Sequence, residues 1–140
     1  MHKVIKGKSI VPGQASGSLV ISREPFSFFG GFDFSQGKIV DPRSDIFGVC
    51  LKDKIFAYPR GKGSSSTAGV ILEALRQGVA PKAIINVETE KILAVGIIVA
   101  EVAFGWSLPL ISISEVDYQE LSSGAWVKIS DGELIIGDQD

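Results

Sequence analysis

Residues 59–67, PRGKGSSST, bring two cations, two glycines and four hydroxyls into nine consecutive positions. Gly61 and Gly63 let the backbone turn sharply and approach a ligand closely, while Arg60 and Lys62 supply positive charge. If a helix starts here, the unpaired amides of its first turn and its positive dipole end face the same place. A small anionic guest is implied. A Walker phosphate loop would need GxxxxGK followed directly by Ser or Thr. Here Lys62 is followed by Gly63 and the first glycine is missing, so a nucleotide phosphate loop is rejected. The plain alternative is a serine-rich helix cap flanked by a solvated Arg and Lys.

Two further stretches could join that chemistry. SREPFSFFGGFD, residues 22–33, is too aromatic for an exposed turn and too glycine-rich for a strand interior. It is either a folded-back core loop or a loop that packs on a partner or a shared site, with Ser27, Gly30 and Gly31 on the substrate side. NVETEKILAVG places Asn86, Glu88 and Glu90 after a strand, although acidic residues in a first helical turn are also ordinary dipole partners. His2 is the sole histidine and Cys50 the sole cysteine. A single cysteine excludes an internal disulfide and a cysteine cluster for a metal, the position of His2 at the terminus argues against a Ser-His or Cys-His pair, and no metal site is expected in this chain.

The elements that position these residues change character near residue 52. Before it, KVIKGKSI, GSLVISR and GKIVD are short runs separated by PG, GG, QG and DP, the pattern of an all-β half. After it the order is strand, helix, strand, helix, strand: KIFAY, a helix from about Ser66 to Gln77, AIINV, a helix from about Thr89 to Phe104, and LPLISI. Ala68, Ile71, Leu72 and Leu75 share one face of the first helix, a serine can cap its start and Gly78 ends it. The second helix is apolar almost all round, with Ile92, Val95, Val99 and Val102 as its stripe, and is expected to be buried on two sides. The tail AWVKISDGELII returns to β through an Asp131-Gly132 turn. The fold class is therefore α/β: a small barrel-like β unit beside a βαβαβ parallel layer, with PRGKGSSST beyond a strand's carboxyl end where such sheets bind ligands.

The chain has 140 residues, the size of one compact domain, and residues 1–140 are read as one. Hydrophobic residues make up 45% and charged residues 21%, with a formal charge of −2, which disfavours disorder and a nucleic-acid partner. The longest apolar stretch, from Ile92, is interrupted by Glu101 and is shorter than the roughly 20 residues a bilayer needs. No apolar leader follows Met1, so no membrane association and a cytoplasmic location are expected.

SREPFSFFGGFD, then YPRGKGSSSTAGVILEAL, then GVAPKAIINVETEKILAVG, in that order and spacing, resemble the small subunit of aconitase X enzymes over residues 5–115. The serine loop is also similar to the swivelling domain of aconitase proper, where a Gly-Ser-Ser-Arg segment supplies the catalytic serine. That second likeness stops after two serines, since Ser66 stands where the arginine would be. The arginine's task then falls to Arg60, Lys62 or a partner. The resemblance implies a swivelling β/β/α fold and a hydro-lyase made of this chain and a large subunit, as a heterodimer or higher assembly. The large subunit would carry the iron-sulfur cluster, with none held by this chain alone. It further implies a serine base, Ser64, which matches the catalytic position of the aconitase motif, with Ser65 as the alternative base or else a ligand for substrate oxygen, alongside Gly63, Arg60 and Lys62. Ser66 or Thr67 would cap the helix. A free serine is a poor base, so Ser64 would work as an alkoxide stabilised by amides and cations. Archaeal relatives dehydrate (R)-5-phosphomevalonate on the way to isoprenoids and bacterial ones cis-3-hydroxy-L-proline. AIINVETEKILAVG looks more like the first form and FGWSLPLI more like the second; the cationic loop is mildly favourable to a phosphate, though a proline carboxylate would also suit it, and phosphomevalonate is the expected substrate.

Readings from other classes make different demands. A phosphotransfer swivelling domain needs a histidine in the loop, and GKGSSSTAG has none. A non-catalytic scaffold subunit would dock through Phe26, Phe28 and Phe29 and use the serine loop only as a cap. A free-standing anion-binding protein would bind its ligand without a second chain.

Overall fold

The structure is a computed structural model that describes residues 3–62 and 66–137. Gly63, Ser64, Ser65 and His2, all named above, lie outside the described residues.

Eight strands form one sheet: β1 (Lys3–Lys6), β2 (Lys8–Val11), β3 (Gln14–Ile21), β6 (Ile55–Ala57), β7 (Ala83–Asn86), β8 (Leu110–Ser112), β9 (Trp126–Ser130) and β10 (Glu133–Gly137). A separate two-residue pair, β4 (Phe32–Asp33) and β5 (Lys38–Ile39), lies between β3 and β6 in the chain. The order in the large sheet is β1-β10-β9-β3-β6-β7-β8-β2. Its first and last strands are consecutive in sequence across Gly7, whose amide donates to the Gly132 carbonyl at 2.8 Å. The chain thus leaves one edge and joins the other, curling the sheet towards a closed barrel. Gly7 has no room for a side chain, because a Cβ there would lie 2.6 Å from the Ser112 carbonyl.

β3 joins the two halves. Gln14–Ser18 pair antiparallel with β9, and Leu19–Ile21 pair parallel with β6. From β6 onward the parallel ladder runs through β7 to β8, connected by α2 (Thr67–Gln77) and α3 (Lys91–Phe104). Strand alternation then separates two cores. Leu19, Ile55, Ile85, Ile111, Val127 and Leu134 fill the barrel interior, while Val20, Phe56, Ile84 and Leu110 point to the helices and meet Ile71, Ala74, Leu93 and Ile97. This is the swivelling β/β/α architecture expected from the sequence: two β layers and one helical layer.

The hairpin at Asp131-Gly132 forms as expected, with φ of 49° and 81°. Gly78 ends α2 at φ 75°, its amide donating back to Ala74 and Leu75. Other expectations are corrected. Ser66 holds the N-cap position of α2, but its side chain makes no cap hydrogen bond. Ile71 is buried as expected, with Thr67 and Ala74 beside it, whereas Ala68, Leu72 and Leu75 are half-buried. α3 is not buried on two sides: Leu93, Gly96, Ile97 and Ala100 face inward, and Val95, Ile98, Val99 and Val102 are exposed. With nearly every position apolar, the 3.6-residue period carried little phase information, so the inward face was misplaced. Gly96 sets that phase physically, since a Cβ there would come within 2.8 Å of Ala68 Cα, the point where α3 crosses the start of α2.

The first half of the chain is also less regular than an all-β reading. Residues 40–53 are turns and bends, and Phe28–Gly31 (α1) is a single turn with non-helical dihedrals at Phe29 and Gly30. The five-residue α4 (Glu115–Gln119), started by Ser114 accepting the Asp117 amide, was not anticipated.

Candidate active site

The carboxyl ends of β3, β6, β7 and β8 lie at one edge of the sheet, and each runs into one of the stretches picked out above or into α4. Backbone hydrogen bonds join those stretches side by side. The Phe26 amide donates to the Arg60 carbonyl at 3.0 Å and the Lys62 amide to the Phe26 carbonyl at 3.1 Å, so the aromatic loop and the glycine loop form a short parallel bridge. The Pro59 carbonyl accepts from both Val87 and Glu88 at 3.0 Å, tying in the loop before α3.

The aromatic loop divides its residues between core and surface. Phe26 and Phe28 are buried and make edge-to-face contacts with each other, Phe56 and Tyr58. Phe29 is more than half exposed at the tip. Ser22 and Arg23 hold the loop's root: Ser22 Oγ and the Arg23 amide donate to the two oxygens of Asp45, and the Arg23 guanidinium donates to the Tyr118 and Leu121 carbonyls.

A cavity of about 280 Å³ opens between the loops, lined by Ser27, Gly30, Gly31, Asp41, Arg43 and Lys62, with Phe29 and Pro42. It gathers four of the expected substrate-side residues. Gly30 stands at φ 83°, and among the described residues no atom beyond its own chain neighbours lies within 4 Å of where a Cβ would sit, so the wall there is backbone. Asp41 and Arg43 come from the irregular 40–53 segment, where an isolated DPR triplet offered nothing to distinguish them from a turn. Arg60 does not line the cavity. Its Nε donates to Glu88 Oε2 at 2.8 Å and its Nη2 lies 3.9 Å from Glu115 Oε1.

Behind the glycine loop lies a small buried polar group. Asn86 is fully buried, and its amide nitrogen donates to the Tyr58 carbonyl at 3.0 Å, a structural role. The Glu90 carboxyl occupies the space a Cβ on Gly61 would need, which accounts for a glycine at that position. Among the described residues neither Glu90 Oε1 nor the buried Tyr58 hydroxyl has a hydrogen-bond partner. Burial raises the Glu90 carboxyl above its ordinary range, and burial together with the Glu90 charge keeps the Tyr58 phenol protonated.

The residues of this chain do not suit an iron-sulfur cluster or a metal centre. Its one cysteine, Cys50, is half-buried in the 40–53 segment, and among the described residues no three His, Cys, Asp or Glu side chains form a ligating group. Among those residues, too, no helix is long and apolar enough to cross a membrane.

A curled sheet, one helical layer and loops joined by hydrogen bonds at the carboxyl edge define a swivelling-type α/β domain. A family model for the aconitase X swivel domain matches residues 4–137. The phosphomevalonate dehydratase small subunit of Pyrococcus furiosus is 46% identical over 129 residues, covering 92% of this chain and 90% of that one. The cis-3-hydroxy-L-proline dehydratase of Hypocrea jecorina is 40% identical over 92% of this chain, which spans 22% of that protein. The holo-form of Thermococcus kodakaraensis aconitase X superimposes with a TM-score of 0.87 at 37% identity, over 97% of this chain and 99% of that one. The chain belongs to the aconitase X swivel-domain family.

Proposed function

We propose that this chain is the small subunit of an aconitase X-type dehydratase that removes water from (R)-5-phosphomevalonate, in the cytoplasm and in the service of isoprenoid synthesis. The observation that carries this reading is the 46% identity, across nine-tenths of both chains, to a phosphomevalonate dehydratase small subunit. Residues 1–140 act as one swivelling domain on a large subunit, which holds the iron-sulfur cluster that this chain's residues cannot.

The chain's own part is acid–base chemistry and binding. Ser64, first after Gly63, takes the proton from the carbon beside the substrate carboxylate, and Ser65 binds a substrate oxygen. Ser64 needs positive surroundings to act as a base. Of the two loop cations, Arg60 is engaged by Glu88, and the Lys62 ammonium has no carboxylate partner among the described residues. The first-turn amides of α2 add a partial positive field. Ser27, Gly30 and Gly31 form the wall against which the rest of the substrate lies.

A second reading, cis-3-hydroxy-L-proline as substrate, draws on the 40% identity to the Hypocrea enzyme. Anaerobic reconstitution with the large subunit from the same genome, assayed on both compounds, separates the two. Turnover of phosphomevalonate alone is expected. Turnover of the hydroxyproline alone would overturn the substrate assignment, and an assembled complex active on neither would overturn the dehydratase reading.

A further inference from the structure

We propose that Arg43 and Lys62 form a phosphate subsite, which takes the end of the substrate remote from the reacting carbon and thereby sets substrate class. The proposal rests on the dehydratase reading and deepens it. Arg43 arrives from the 40–53 segment, outside every motif that marks the family in this sequence. Its main-chain amide and its Nε both donate to Asp41 Oδ1, at 2.9 and 3.3 Å. That anchors the near side of the guanidinium and leaves both terminal nitrogens without a hydrogen bond among the described residues, on a side chain that is 87% exposed. The Lys62 ammonium, likewise without a partner there, lines the same cavity. The Arg43 amide keeps the Asp41 carboxyl ionised below its usual range, helped by the Lys62 charge. Two cations against one carboxylate leave the cavity net positive.

The cavity also has the shape for a bulky anion. Its far wall is the Gly30-Gly31 backbone, where a Cβ on Gly30 would project into open space. An arginine fork beside a lysine matches the several oxygens of a phosphate monoester better than the two of a carboxylate.

Chain length supplies the discrimination. Ser64 follows Lys62 by two residues in the sequence. In an acid with a five-carbon main chain phosphorylated at its far end, the phosphorus lies about 6 Å from the carbon next to the carboxylate when the chain is extended, counting ordinary bond lengths. On this proposal, a substrate giving up that carbon's proton to the serine loop places its phosphate between Lys62 and Arg43, which line one cavity. In a proline-type substrate the carboxylate is bonded to the reacting carbon itself and cannot reach the subsite.

Two experiments test this. In the first, the isolated full chain is titrated with inorganic phosphate and, separately, acetate, while backbone amide resonances are followed. Phosphate should shift Gly30, Gly31 and Lys62 with acetate far weaker, and Arg43→Gln should lower phosphate affinity about tenfold, with Arg43→Lys in between. Equal response to acetate, or affinity unchanged in Arg43→Gln, would overturn the subsite. In the second, Arg43→Gln in the reconstituted complex should raise KM for phosphomevalonate about tenfold or more and lower kcat less than threefold. An unchanged KM would sink the subsite while leaving the dehydratase reading intact. Phosphate binding in this cavity by a chain whose complex ignores phosphomevalonate would instead keep the subsite and sink the substrate.

Discussion

Two cavities lie at opposite ends of the same parallel ladder. The one at the amino ends of the strands is the larger, about 400 Å³ against about 280 Å³, yet Lys82 is the only charged residue among those lining it. The smaller one, at the carboxyl ends, has two cations, a carboxylate and two adjacent glycines in its wall. Size and polarity therefore point to opposite ends. In a parallel sheet the strand-to-helix loops carry amides and side chains towards a ligand from the carboxyl edge, whereas the amino edge receives the ends of helices. Here the loop after β3, the loop before α2 and the loop before α3 are hydrogen-bonded into one surface, so the carboxyl edge is built and the amino edge merely left open.

The largest effect should come from removing the floor of the carboxyl edge. Phe28 is fully buried against Phe26, Phe32, Phe56 and Tyr58, so Phe28→Ala should cost ~3–5 kcal/mol in chemical denaturation. A loss below ~1 kcal/mol would mean that the aromatic loop is not the core of this end. A smaller effect, opposite in sign, is expected at Glu90. Its carboxyl is raised from 4.5 by burial, so folding favours the neutral acid, and the burial cost is fully present above the raised value and absent below about pH 4. Glu90→Gln should therefore raise the melting temperature at pH 7 and leave it unchanged at pH 4. A lower melting temperature at pH 7 would show that the charged form has a stabilising partner. The smallest effect belongs to the other end: Lys82→Ala should alter stability by less than ~0.5 kcal/mol and leave turnover of the reconstituted complex as in wild type. A drop in turnover there would break the contrast between the ends.

The parts of this fold that could be read in the sequence are those where local chemistry and tertiary role agree. Gly78 and the Asp131-Gly132 turn need positive φ, and both appear where those residues do. The βαβαβ order follows from apolar runs alternating with helical spacing. Where local pattern says little, reading failed. α3 is apolar on every side, so only the contact between Gly96 and Ala68 reveals which face is buried. Arg43 and Asp41 sit in a segment without period, and they reach the site because the Val40 amide pairs with Gly31 and the Gly48 amide with Ile39. Arg60 has the right charge in the right motif, and its acidic neighbours Glu88 and Glu115, distant in sequence, pair with it in a way no local pattern showed.

The central claim, that the carboxyl-edge loop contributes the base of a shared dehydratase site, is tested most directly at Ser64. Ser64→Ala should assemble with the large subunit with wild-type affinity and lose turnover about 10²–10⁴-fold, the range for loss of a general base. Near-normal turnover in a fully assembled Ser64→Ala complex would contradict it.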